Sequence, residues 1–310
     1  MLRQLSLACF AVVIGWAAAQ AAPSDDAFAA YQKGDYKTAL TLMKPLAEKG
    51  DPNAQYNLGA MYANALGVSQ NHEEAAKWFK LASAKGNVFA TVDLAVLYEN
   101  GQGVPKNYDE AMRLFLIAAD KKSNTAEANI AAMYERGLGK PQNYREAAKW
   151  YRLSADHGNG SAQYNLGVMY SSGRGLDKDP KQAAIWYRKA ADAGIDSAQL
   201  NLGAMYFSGE GVSKDAREAL KYFRMAAQQR NGHAQFNLAS LYANGADGVK
   251  QDLPRALVWF VAASGTLTGN EAKIANENYA EVAKAMNQDQ VRQAQALVRE
   301  CRQGNFAKCD

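Results

Sequence analysis

The sequence predicts an all-α fold, a solenoid of stacked helical hairpins, and three observations support that prediction. A stretch reading AQYNLGVMYSSGRG from residue 162 returns in similar form along the chain. Each copy has apolar residues at helical spacing, and most copies end in glycines. The copies begin 36 residues apart, at Ala54, Ala90, Ala126, Ala162, Ala198 and Ala234. A fixed period in this range indicates stacked repeats rather than one globular core.

The unit at residues 159–194 shows what each period predicts. Its first helix carries apolar residues on one amphipathic face, namely Ala162, Leu166, Met169 and Tyr170. Gly173 and Gly175 end this helix, because glycine adopts the left-handed conformation of a C-cap at little cost. Asp179 and Pro180 predict the N-cap and first residue of a second helix, which ends at Gly194. Each unit is therefore predicted to be a helical hairpin.

Small residues face aromatic residues at fixed positions, as interdigitating helices require. The first helices carry the small residues Gly59, Ala95, Ala131, Gly167, Gly203 and Ala239. The second helices carry the rings Phe79, Phe115, Tyr151, Tyr187, Phe223 and Phe260. One hairpin cannot bury both of its apolar faces, so we expect the units to stack.

The pattern divides the chain into four kinds of segment. We expect a signal peptide at 1–21, an abbreviated hairpin at 22–50, six repeats, and capping helices with a cysteine-containing tail at 266–310. The six repeats are predicted at 51–86, 87–122, 123–158, 159–194, 195–230 and 231–265.

The first residues have the features of a secretory leader. One cation, Arg3, precedes an apolar run from Leu5 to Trp16, which is too short to span a bilayer as a helix. The following small residues suit signal peptidase and predict cleavage after Ala21. The alternative is an uncleaved N-terminal anchor. With cleavage, we expect a periplasmic or secreted protein with no transmembrane segment in the mature chain.

Charge and cysteine content limit the partners and the compartment. The formal net charge of +4 is too small to argue for nucleic acid or anionic lipid as a partner. Cys301 and Cys309 most simply form one disulfide in an oxidising compartment. A free pair or an intermolecular bridge is the alternative.

The repeat resembles the Sel1-like repeat, a relative of the tetratricopeptide repeat. The matching residues of one unit are Leu166, Gly167, Tyr170, Gly173, Gly175, Ala183, Ala184, Trp186, Tyr187 and Ala190. The resemblance covers roughly residues 25–302. It implies a right-handed α-solenoid whose first helices line the concave side. Members act as adaptors in secretory-pathway degradation, envelope assembly, sensor control and host–bacterium contact, so the resemblance implies a binding scaffold without selecting one process.

No catalytic or metal-binding constellation is evident. His72, His157 and His233 lie in different repeats without neighbouring ligands at metal-binding spacing. The chain contains no Ser-x-x-Lys, the usual signature of serine β-lactamases and penicillin-binding proteins. We therefore expect no enzyme activity, no cofactor and no metal. Because one cysteine-rich branch of the resembled family is linked to β-lactam hydrolysis, a β-lactamase-like or other cell-wall-directed hydrolase is the alternative.

A polar ladder occupies one position of the first helices. Its members are Asn57, Asp93, Asn129, Asn165, Asn201 and Asn237. These side chains either clamp an extended peptide backbone or satisfy groups at the repeat junction, and recurrence alongside core residues favours the second interpretation.

A protein-binding face is expected on the concave side, opposite the predicted core of the first helices. Its residues vary between repeats, as a surface shaped for one partner would, although inner curvature can also pack some of them against neighbouring repeats. The candidates are Tyr56, Val92, Glu99, Glu135, Tyr164, Val168, Leu200, Phe207 and Phe236. The sequence thus predicts a non-enzymatic exported scaffold that holds a peptide or helix of an envelope protein, in envelope assembly or the regulation of a membrane sensor.

Overall fold

The structure, a computed structural model, describes residues 23–303 and 309, and the predicted signal peptide at 1–21 lies outside these residues. The described part contains sixteen helices and confirms the predicted all-α fold. In chain order the helices are α1 Pro23–Gln32, α2 Tyr36–Glu48, α3 Pro52–Ala63, α4 His72–Ala84, α5 Val88–Asn100, α6 Tyr108–Asp120, α7 Asn124–Arg136, α8 Tyr144–Asp156, α9 Gly160–Ser172, α10 Pro180–Asp192, α11 Asp196–Ser208, α12 Ala216–Gln228, α13 Gly232–Asn244, α14 Leu253–Thr266, α15 Gly269–Ala285 and α16 Gln288–Gln303.

The helices form two compact units, divided after Pro105. In the first unit, α1 to α5 pack in sequence, each against the next. Met43, Leu58, Met61 and Phe79 are its large, fully buried or nearly fully buried side chains. This unit therefore contains the abbreviated hairpin of α1 and α2 followed by helices of the repeat type.

The second unit extends from Lys106 and contains α6 to α16. Helix pairs α7 with α8, α9 with α10, α11 with α12, and α13 with α14 form its hairpins. The predicted packing of small residues against rings is present within them. A Cβ atom added to Gly167 would lie 2.6 Å from the ring of Tyr187. The same atom at Gly203 would lie 2.7 Å from the ring of Phe223.

The predicted helix ends in the unit at 159–194 are confirmed. Gly173 caps α9 in the left-handed conformation, with φ of 73°. The Asp179 carboxylate accepts hydrogen bonds from the backbone N–H groups of Lys181 and Gln182, and Pro180 is the first residue of α10. The Asp179 N–H donates to the Tyr170 carbonyl over 2.9 Å, which closes the loop between the two helices.

A buried amide joins each of several hairpins to the preceding helix. Gln163 donates from Nε2 to the carbonyl of Ala155 over 3.1 Å, and Gln199 donates to Ala191 over 3.2 Å. Gln55 and Gln235 make the same bond to Ala47 and Ala227. The acceptors lie in the last turn of the preceding helix, and each also accepts a backbone N–H from the turn that follows, so the glutamine amide adds a second partner at the helix end.

Glu127 occupies this junction position in α7 and is almost fully buried. Both of its carboxylate oxygens lie 2.9 Å from Nδ1 of His157, which follows α8. The repeat thus keeps a polar contact at the junction while replacing an amide by an acid–imidazole pair.

The C-terminal end departs from the repeat pattern. α14 packs against both α15 and α16, so its outer face is covered. Leu297 and Val298 of α16 pack on the core cluster that includes Trp259. The structure records Cys301 and Cys309 as a disulfide with Cα atoms 4.9 Å apart, and both residues are buried. Among the described helices, none combines the length and the apolar character needed to cross a membrane.

Candidate protein-binding face

The predicted binding residues lie on the first helices, on the side that we call the first-helix face, and they differ in exposure. One row of this face occupies the same position in each repeat, at Tyr56, Val92, Ala128, Tyr164, Leu200 and Phe236. In three repeats this residue is an aromatic ring that packs on the second-helix ring of its own hairpin. The ring centroids of Tyr164 and Tyr187 are 5.9 Å apart, and those of Phe236 and Phe260 are 5.5 Å apart.

In the first unit, Tyr56 has two aromatic neighbours. Its ring centroid lies 5.9 Å from that of Phe79 and 5.9 Å from that of Phe89. Tyr56 is half-buried as a result, whereas Phe89 is exposed. Val92 is only 7% exposed, so its side chain belongs to the core and is no longer a candidate contact for a partner.

The two acidic residues predicted for the binding face, Glu99 and Glu135, both interact with other residues of the fold. Glu135 accepts a hydrogen bond from the Tyr151 hydroxyl at 2.8 Å and lies 3.8 Å from Nη1 of Arg174. Burial and the nearby Glu135 carboxylate raise the pKa of Tyr151 above its usual range. Glu99 is half-buried and has interactions of its own. Both carboxylates therefore have partners within the fold.

The apolar candidates of the second unit lie on three consecutive first helices. Tyr164 and Val168 are half-buried on α9, Leu200 is half-buried on α11, and Phe236 is half-buried on α13. Phe207, at the end of α11, is 47% exposed. These five side chains form what we call the apolar strip, in which Phe207 is the most exposed ring.

A cavity of about 460 Å³ adjoins this strip where α13 and α14 meet α15. Ser240 and Ala243 of the first-helix face line it, together with the ring of Phe260. Asn278 and Glu281 of α15 line another part of its wall. The repeat pattern does not predict this cavity, because α15 lies outside the repeats and no repeat position identifies its residues.

The asparagine ladder has a structural role at two positions. Asn165 forms a side-chain hydrogen bond with the Tyr151 hydroxyl, and Asn201 forms one with Tyr187. Each amide thus contacts the second-helix ring of the preceding repeat. This arrangement agrees with the interpretation that the ladder satisfies groups at the junction.

The structure gives no sign of a metal centre in the described residues, where no three His, Cys, Asp or Glu side chains converge. His157 pairs with Glu127, and His233 lies 3.9 Å from Glu271 at the surface.

Comparison with protein families identifies the repeat. The Sel1 repeat model matches residues 52–87, 88–123, 125–159, 160–195, 196–231 and 232–264. No curated protein matches the chain.

Among the solved structures with this architecture, two are similar to this chain over most of its length. The crystal structure of a Sel1 repeat protein from Oxalobacter formigenes has 31% sequence identity and a TM-score of 0.66, covering 78% of this chain and 96% of that chain. The second, c5321, is a protective antigen present in uropathogenic Escherichia coli strains and displays an SLR fold. It has 26% identity and a TM-score of 0.56, covering 93% of this chain and 74% of that chain.

Proposed function

Because the chain belongs to the Sel1 repeat family, whose members are typically protein–protein interaction scaffolds, we propose that it is an exported, non-enzymatic scaffold. The apolar strip of the second unit holds a peptide or helix of an envelope protein. The observation that carries this proposal is the exposed ring of Phe207, which follows Leu200 on α11 and lies between the helices that carry Tyr164 and Phe236. An exposed apolar strip of this kind is typical of a protein interaction site.

Export is supported by two features at opposite ends of the sequence. Residues 1–21 have the composition of a cleavable leader. The buried pair of Cys301 and Cys309 suits an oxidising compartment such as the periplasm. N-terminal sequencing of the mature protein is expected to begin at Ala22.

Substitution of Phe207 tests the binding strip. A photo-crosslinker placed at exposed Ala204 is expected to give a discrete adduct in envelope extract, and Phe207→Asp should abolish that adduct because a charge there prevents apolar contact. The melting temperature should change little, since Phe207 is 47% exposed and is not among the buried core residues.

Leu81→Asp is the matched control, because Leu81 is equally exposed but lies on a second helix. It should leave the adduct intact. Unchanged crosslinking in Phe207→Asp contradicts the proposed strip, and a large fall in its melting temperature assigns the ring to the core instead.

A further inference from the structure

Charge is unevenly distributed between the two helices of the hairpins in the second unit. The second helices α8, α10 and α12 together carry nine Lys or Arg and four Asp or Glu, a net charge of +5. The first helices of the same repeats, α7, α9 and α11, carry one Arg and three Asp or Glu, a net charge of −2. The preceding second helix, α6, has one Arg and three acids, so the basic region begins at α8.

Three arginines of this basic region are held in the same way. Arg152 donates to the hydroxyl of Tyr170, and Arg188 donates to that of Tyr206. Arg224 donates to Tyr242 over 2.6 Å. Each tyrosine lies on the first helix of the following repeat, so one guanidinium is fixed at every junction from α8 to α13. A fixed guanidinium loses less conformational entropy when it binds an anion.

Two exposed aliphatic side chains lie among these cations. Leu153 is 41% exposed and follows Arg152 on α8, and Ile185 is 48% exposed on α10, near Arg188 and Lys189. Exposed cations interspersed with aliphatic side chains are typical of surfaces that bind at the interface of an anionic bilayer.

We propose that the exposed face of α8, α10 and α12, which we call the basic face, docks on an anionic lipid surface. Its net charge complements the negative headgroups, while Leu153 and Ile185 enter the boundary between headgroups and acyl chains. A lipid surface suits this face better than an acidic protein, because the cations extend over three successive second helices and two of these helices also expose an aliphatic side chain, a combination that matches charged headgroups above acyl chains. On this basis the first-helix face remains available to a protein partner.

Vesicle co-sedimentation tests the basic face. Protein starting at Ala22 is mixed with vesicles of phosphatidylcholine alone, or of equal parts phosphatidylcholine and phosphatidylglycerol. We expect binding only to the anionic vesicles, and we expect raised salt to weaken it. The variant Arg145→Gln/Lys181→Gln/Lys189→Gln should bind about 100-fold more weakly, because each cation near an anionic surface contributes roughly 1 kcal/mol to binding.

The control variant Lys250→Gln/Lys273→Gln/Lys284→Gln removes the same charge from exposed positions outside the basic face, and it should bind like the wild type. Ile185→Ser should weaken binding without altering its salt dependence. Equal binding of wild type to both vesicle types overturns the proposal, as does equal loss in the control variant. Binding to polyglutamate or to DNA, without binding to anionic vesicles, assigns the face to another polyanion.

Discussion

Gln163 is a buried residue whose amide is only half satisfied. Its Nε2 donates to Ala155, while its buried Oε1 has no hydrogen-bond partner among the described residues. At the next junction the Oε1 of Gln199 accepts from Gln229 over 2.8 Å. The residue corresponding to Gln229 in the unit at 159–194 is Ala193, which has no side-chain donor. One missing donor thus explains why this junction differs from the following one.

Ala193→Gln is therefore expected to stabilise the protein by about 1 kcal/mol, because it satisfies a buried acceptor. Urea unfolding should show a higher midpoint with an unchanged slope. Ala193→Met provides a side chain of similar length without a donor and should not reproduce the gain. Equal midpoints for the two variants would show that Oε1 already has a partner.

The pair of Glu127 and His157 gives the opposite prediction. His157→Ala leaves an almost fully buried carboxylate without its partner and should lower the free energy of unfolding by about 3 kcal/mol. The double variant Glu127→Gln/His157→Gln copies the pair of Gln199 and Gln229 and should recover most of that loss. Chemical denaturation measures all three proteins, and a double variant as unstable as His157→Ala would contradict this account.

The roles of residues that recur in every repeat could be predicted from the sequence. The roles of residues whose contacts lie in a neighbouring repeat could not. Gly173 and Asp179 have local roles as caps, so the sequence alone identifies them. The contacts of Glu127 depend on a residue 30 positions later, and no short-range pattern connects the two. Val92 was wrongly placed on the surface because helical geometry locates a face of a helix without showing how far its neighbours cover it.

At the scale of helices, close approach determines where glycine is required. A Cβ at Gly167 would meet the ring of Tyr187 at 2.6 Å, which is closer than atoms can pack. Alanine at the same position in other repeats, as at Ala131, shows that the two helices can also pack at a spacing that admits a methyl group. Each hairpin therefore has its own interhelical fit.

Gly167→Ala should destabilise the protein by about 1–3 kcal/mol, because the buried ring must move. Better helix propensity would by itself stabilise the variant by up to about 1 kcal/mol, so the sign of the change tests the close contact. Thermal unfolding gives the answer. Gly265→Ala is the control, since nothing lies within 4 Å of its added Cβ, and it should be neutral or stabilising.

At the scale of the whole molecule, the net charge of the chain does not show how charge is distributed among its helices. The chain has a net charge of +4, which argues for no particular partner, yet three helices alone carry +5. The uneven charge appears only when the first and second helices of the repeats are compared. The cavity beside α15 could not be predicted from the sequence for a different reason, because it depends on how the capping helices pack after α14.

Two buried tyrosines should make the free energy of unfolding depend on pH in alkaline solution. Burial raises the pKa of Tyr151 and Tyr187 above the usual value of 10.0. Both hydroxyls therefore lose their protons at a higher pH in the folded state than in the unfolded chain. Their contribution to stability is therefore complete below pH 10.0 and falls as pH rises above it.

Tyr151→Phe/Tyr187→Phe should make this alkaline decline shallower, by up to about 1.4 kcal/mol per pH unit for each tyrosine. Phenylalanine fits the position, as Phe115 and Phe223 show. Urea unfolding measured between about pH 9 and about pH 11 compares the slopes. Identical slopes in the variant and the wild type would mean that these hydroxyls ionise equally in both states.

The covered outer face of α14 restricts how the protein can change in length. Inside the second unit, neighbouring hairpins meet through the same amide bond and the same glycine caps, so a 36-residue segment inserted or deleted there restores an equivalent junction. At α14 the capping helices α15 and α16 pack where a further hairpin would stack, and the disulfide joins Cys309 to Cys301 of α16. Evolution or protein engineering can therefore lengthen the series of repeats by insertion between hairpins, whereas a repeat added directly after α14 would displace α15 and α16.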